Sequence, residues 1–131
     1  MNVIFLVYNM RMFISDAPSH IGTSVQVKGW VYNSRSSGSI VFLEVRDGTG
    51  FIQCVASESD VDAASWKAIT DATQESSVEV VGIVKEHPKK PGSYELAIEK
   101  AVLIHKAIDY PIAHKEHGPD FLLENRHLWI R

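Results

Sequence analysis

Only one cysteine, Cys54, occurs in the 131 residues, so no disulfide can form within the chain. That usage suits a reducing compartment, and a cytoplasmic location is the expectation. Positive charge is not in excess: 13 Lys and Arg stand against 16 Asp and Glu, a formal charge of −3. A sequence-blind binder of nucleic acid relies on a basic surface, so that class is excluded and only a local site is left open. No run approaches the ~20 apolar residues of a membrane helix. The opening Met1-Asn2-Val3-Ile4-Phe5-Leu6-Val7-Tyr8 is apolar, but it lacks both a basic start and a small-residue cleavage site, so a signal peptide is not expected. P-loop, G-x-G-x-x-G and nucleophile-elbow motifs are missing, and nothing assembles a catalytic nucleophile with its base.

What is present fits one ordinary domain with a sizeable core: 45% of the residues are hydrophobic, 9% aromatic and 22% charged. Met10 and Met12 leave two readings for residues 1–11, an upstream-start extension or a strand added by this chain. Residues 15–22 read as a short helical or turn segment, with Pro18 inside it and Gly22 as a stop. Strand patterns follow at 25–35, 40–46 and 51–56. Gly29 interrupts the first and predicts a bulge or bend there. The cluster 34–39 reads as a turn, and Asp47-Gly48-Thr49-Gly50 is a hairpin signal. At 58–73 the apolar period changes to that of one helix, with Ser59 or Asp60 near its start. Further strands are predicted at 78–85 and 94–104, joined by the turn 87–92.

Three strands, one helix and two strands give an all-β fold, a five-stranded OB-fold barrel of Greek-key type with a helix between strands three and four. One long bent first strand suits a small barrel, where a single strand serves both sides. After Ile104 the texture turns polar. The organisation expected is an N-terminal extension at 1–12, the barrel at 13–106, a hinge at 107–120, and at 121–131 the start of a second domain cut short.

Strand parity locates candidate chemistry, because successive side chains point to opposite faces. Val41, Leu43 and Val45 make the core face of the second strand, which leaves Phe42 with Glu44 and Arg46 on the outside. Ile52, Cys54 and Ala56 make the core face of the third, which leaves Gln53 outside and near Phe42. An outward aromatic on these strands of an OB barrel can stack a base, and a Gln amide donates and accepts at once, so it can read a base edge. Phe42 read instead as a satellite core residue under the first loop is the other alternative. Arg35 offers charge for a phosphate or a second edge contact; Arg46 is an alternative cation, or simply the partner of Glu44. Lys85, Lys89 and Lys90 flank the last turn, either to meet phosphates or as a solvated loop. His114 and His117 with His127 have a metal-like spacing without further fixed ligands, and read as linker histidines. Cys54 reads as a small buried hydrophobe.

Gly29-Trp30-Val31, Arg35, Gly38, Phe42, Arg46-Asp47-Gly48, Gly50 and Ile52-Gln53 together resemble the anticodon-binding domain of class IIb aminoacyl-tRNA synthetases, which charge aspartate, asparagine and lysine tRNAs. Tyr110-Pro111-Ile112, Lys115-Glu116-His117-Gly118, Phe121-Leu122 and Arg126-His127-Leu128-Trp129-Ile130-Arg131 look most like the hinge and catalytic-domain opening of the asparaginyl branch. The resemblance implies that the barrel binds the tRNA anticodon. Phe42 then stacks on the middle uridine, Gln53 and Arg35 bond its edge, and Glu95 faces the first anticodon base. It also implies a parent enzyme, a homodimer that joins asparagine to tRNA with ATP and Mg²⁺, while this chain alone, lacking the class II motifs, is not expected to aminoacylate. Asn33 and Ser34 depart from the arginines common in aspartyl relatives. The same domain of an aspartyl enzyme, or an OB-fold dimerisation module, are the alternatives.

Overall fold

Val25, Val27 and Val31 alternate with Gln26, Lys28 and Trp30, and the fold turns this alternation into one long strand with its valines buried. A computed structural model describes residues 10–108. The strands are β1 (Met10–Arg11), β2 (Ser24–Ser37), β3 (Ile40–Arg46), β4 (Phe51–Ser57), β5 (Ser77–Glu86) and β6 (Tyr94–His105), with one α-helix, α1 (Ala63–Asp71), between β4 and β5. The strand order β1-β2-β3-β4-β6-β5, with β5 pairing back onto β2, closes a five-stranded barrel from β2 to β6. The OB-fold order expected from the sequence is the one observed.

β2 serves both sides. Residues 24–30 pair with β5, and residues 30–37 pair with β3. β1 lies parallel to β2 at Val25 and Gln26, on the stretch that β3 does not reach, and the Met12 amide donates to the Gln26 carbonyl at 2.8 Å. Pairing of this kind covers backbone groups that an edge would leave open. Met12 itself is buried in the core. Residues 1–9 of the expected extension, the hinge beyond residue 108 and the segment 121–131 lie outside the described residues, as do His114, His117 and His127.

Three expectations need correction. The first strand runs on to Ser37, so the turn is only Gly38-Ser39 and not the whole cluster from 34. Of the bulge or bend expected at Gly29, the bulge lies elsewhere. Val31 pairs with Val45 and Asn33 with Glu44, so Tyr32 is the extra residue. Gly29 answers a different need: a Cβ there would meet the Arg46 carbonyl oxygen at 2.3 Å. Only a residue without a side chain lets β2 pass that close where it is shared.

The third correction concerns the helix. Residues 58–60 form a short 3₁₀ turn, Val61 is extended at φ −125° and packs against the core, and α1 begins only afterwards. Its cap is Asp62, not Ser59 or Asp60. The Asp62 carboxylate accepts from the Ser65 amide at 2.7 Å, and the bonds from Ser65 hold that carboxyl below its ordinary range.

The core is built from the predicted parity. Val41, Leu43 and Val45 of β3 and Ile52, Cys54 and Ala56 of β4 are all buried, with Ile69 of α1 and Leu96 of β6. Fully burying a side chain such as Leu43 or Leu96 contributes roughly 1.5–3 kcal/mol. Burial pushes the Cys54 thiol up to about 12, so it is a neutral packing group. β6 also carries a bulge: Ile98 pairs with Gly82 and Lys100 with Val81, which leaves Glu99 without a register partner. Inward parity therefore passes from Leu96 and Ile98 to Ala101, whose amide donates to the buried Ser65 hydroxyl at 3.1 Å.

Candidate nucleic-acid interface

The outer face of β3 and β4 is assembled by two devices, the hairpin between them and the bulge in β2. In the hairpin, Gly48 adopts φ +91°, and the Asp47 carboxylate accepts from the Thr49 amide at 2.8 Å and the Thr49 hydroxyl at 2.6 Å. Its second oxygen accepts from the Ile14 amide at 2.8 Å, which ties the turn to the 3₁₀ segment Ile14–His20. Partial burial pulls the Asp47 carboxyl up, but these hydrogen bonds outweigh it and hold the group below its ordinary value. Register across the hairpin then follows: Phe42 lies opposite Val55, and Glu44 opposite Gln53.

The Tyr32 bulge decides where Arg35 points. Before it, the odd-numbered Val25, Val27 and Val31 face inward. After it, Asn33 pairs with the outward Glu44 and Arg35 with the outward Phe42. A strand without the bulge would carry the parity of Val31 on to Arg35 and turn it inward. As built, Arg35 is exposed and its guanidinium carbon lies 4.5 Å from the centre of the Phe42 ring.

The same face continues onto β6, which runs parallel to β4. Gln53 pairs with Glu95, and the Gln53 amide nitrogen donates to the Glu95 carboxylate at 3.4 Å, a long and easily exchanged bond. Four of the five residues singled out in the sequence, Arg35, Phe42, Gln53 and Glu95, thus meet on one surface.

Arg46 is placed differently. Its partner is Glu75, not Glu44. The two form a close ion pair with side chains 18% and 6% exposed, and the Arg46 guanidinium sits 5.3 Å from the centre of the Trp30 ring. Glu75, at φ +69°, is held in turn by its amide bonding the Val31 carbonyl, beside the buried Ser76. This arginine is engaged in joining β3 to the segment before β5.

Sequence reasoning did not single out Glu44, Tyr32 or Phe51. Parity puts Glu44 and Phe51 on this face, but their residue types alone marked no role. Phe51 is 56% exposed and meets Tyr32 in an edge-on contact, ring centres 5.0 Å apart. Among the described residues, no group of His, Cys, Asp and Glu could hold a metal ion, and no helix is long and apolar enough to cross a membrane.

Comparison with known proteins places this geometry among relatives. The sequence model of a tRNA anticodon family, described as an OB-fold nucleic acid binding domain, matches residues 25–104. Asparagine–tRNA ligase of Sorangium cellulosum is 52% identical over 118 residues, 89% of this chain and 26% of that protein. The enzyme of the same name from Pelotomaculum thermopropionicum is 45% identical over 121 residues, 92% of this chain and 28% of that protein. The crystal structure of asparaginyl-tRNA synthetase from Pyrococcus horikoshii complexed with asparaginyl-adenylate superposes with a TM-score of 0.83 at 34% identity, covering 92% of this chain and 29% of that one. The chain spans about a quarter of the length of the curated relatives it matches.

Proposed function

The chain belongs to the family of OB-fold nucleic acid binding domains, and from that premise we propose that it is the anticodon-reading module of an asparaginyl-tRNA synthetase. The observation that carries this reading is the convergence of Arg35, Phe42, Gln53 and Glu95 on one outer face. The relatives named asparagine–tRNA ligase support the choice of amino acid.

The chemistry follows from the contacts. In the free protein Arg35 lies over Phe42. An exposed cation–π contact is worth about 0.5–1 kcal/mol, whereas stacking a base on an aromatic ring is worth about 1–3 kcal/mol. A base therefore displaces the guanidinium from the ring with a net gain, and frees it to donate to the base edge or to a phosphate. Gln53 presents an acceptor and a donor side by side, which complements the N–H and neighbouring carbonyl of a uracil edge. Its bond to Glu95 orients the amide beforehand. Glu95 keeps acceptor capacity for the N–H groups of a guanine edge in the neighbouring position. With a formal charge of −3 on the whole chain, affinity rests on these sited contacts and not on general attraction.

The whole enzyme to which the module belongs is expected to join asparagine to tRNA with ATP and Mg²⁺, as a cytoplasmic homodimer; no step of the anticodon reading runs through those cofactors. Charging assays of that enzyme with asparagine and with aspartate separate this reading from the aspartyl one. For the module itself, Phe42→Ala and Gln53→Ala are each expected to weaken binding of an anticodon stem-loop RNA by on the order of 10-fold. Unchanged affinity in both variants contradicts the reading.

A further inference from the structure

Phe51 stands out on this surface for what it does not do. It is 56% exposed, although it lies two residues from Gln53 on the same outward side of β4. Its edge-on contact with Tyr32 uses at most one face of either ring, so Phe51 keeps a free face. Surface depressions border it. One of about 240 Å³ is shared with Glu44, Gln53, His87 and Lys90, and another of about 340 Å³ with Arg46 and Thr49.

Spacing separates this ring from the Phe42 platform. Phe42 lies opposite Val55, four residues further along β4, so the two rings stand roughly 13 Å apart along the strand direction. One base cannot stack on both. The turn between β5 and β6 adds charge at the same depression. Lys89 and Lys90 are exposed, and Lys90 lines the space beside Phe51. The His87 ring accepts from the Lys89 amide at 3.1 Å through Nδ1, which fixes the ring against the turn and leaves Nε2 to other partners. An apolar ring with a free face, beside a cation and an acidic acceptor, matches a nucleotide with its base, phosphate and base-edge donors.

We propose that Phe51 is a second stacking platform, and that with Lys90 it takes a further nucleotide of the same single strand, on the side of Gln53 away from Phe42. This rests on the anticodon reading and deepens it. The occupant is RNA continuous with the anticodon, because the depression shares Gln53 with that site and its lysine complements the phosphate that links successive nucleotides.

The test uses the 131-residue chain and anticodon stem-loop RNAs that carry one abasic nucleotide at each loop position in turn. Phe51→Leu keeps an apolar side chain and removes the ring. It is expected to weaken binding of the intact RNA on the order of 10-fold, and Phe51→Trp to restore it. The Phe51→Leu effect should vanish on one abasic RNA, at a different position from the one where the Phe42→Ala effect vanishes. Lys90→Ala should lower the slope of log affinity against log salt by about 0.7, the value for one phosphate contact on a single strand, while Phe51→Leu leaves that slope unchanged. If Phe51→Leu binds as wild type while Phe42→Ala does not, the second platform is wrong and the anticodon reading stands. The second platform is equally wrong if both effects vanish at one shared position, or if Lys90→Ala leaves the slope unchanged. If neither aromatic matters, the anticodon reading falls as well.

Discussion

Of the arginines that lie over aromatic rings, Arg35 over Phe42 at 4.5 Å and Arg46 over Trp30 at 5.3 Å sit in opposite surroundings. Arg46 is clamped by Glu75 in a largely buried ion pair, at the corner where β2, β3 and the start of β5 converge. Arg35 is exposed at the far end of β2 and forms no ion pair with an acidic side chain among the described residues. The same pair of residue types is thus structure where a buried carboxylate fixes it, and where none does it is exposed and, under the proposed function, a movable binding group. The corner is also dense in bonds: Ser76, fully buried, takes bonds at its hydroxyl from the Thr73 and Ala107 amides at 3.0 and 3.1 Å. The outer face of β3 and β4 is held by the sheet ladder, and its Gln53–Glu95 side-chain bond is a long one at 3.4 Å.

The largest expected effect breaks this contrast at its strong end. Arg46→Ala takes the guanidinium away from the buried Glu75 carboxylate and should lower unfolding stability by about 3–5 kcal/mol, whereas Arg35→Ala should stay within about 0.5 kcal/mol. Urea titration of both variants checks this, and equal losses would erase the distinction. Gly29→Ala comes next. Its Cβ would fall 2.3 Å from a backbone oxygen that cannot rotate away, and a loss of about 1–3 kcal/mol is expected from forcing the strands apart.

The hairpin that carries the proposed reading face predicts a smaller and pH-dependent effect. The folded Asp47 carboxyl lies below its unfolded value, so its contribution is present above the unfolded pKa of about 3.9 and is lost as pH falls through the folded pKa. Thermal midpoints should therefore fall less steeply below about pH 4 in Asp47→Asn than in the native chain, with a loss near neutrality of about 1 kcal/mol. Cys54 should give the smallest signal. With its thiol pushed up to about 12 and its side chain buried, it should resist alkylation until the barrel unfolds.

The sequence made the barrel legible because its signals are local. Period-two valines mark β2 and β3, and Asp47-Gly48 marks their hairpin partner β4. The outward pair of Phe42 and Gln53 follows from the same parity. What stayed hidden depends on contacts distant in the chain. The bulge falls on Tyr32 and not on Gly29, because Gly29 is required by the Arg46 backbone from another strand. The Arg46–Glu75 pair joins residues 29 apart, so nearby Glu44 looked the natural partner. The helix starts late because Val61 is drawn into the core, a demand that no cap signal reveals.

That Gln53 reads the middle base is tested most directly by a cycle of two substitutions, one in the protein and one in the RNA. Affinities are measured for stem-loop RNAs with uridine or cytidine at the middle anticodon position, with the native chain and with Gln53→Ala. The native chain should prefer uridine by on the order of 10-fold, as a paired amide contact discriminates by about 1–3 kcal/mol, and Gln53→Ala should bind the two RNAs alike. A preference for uridine that survives in Gln53→Ala would contradict this role.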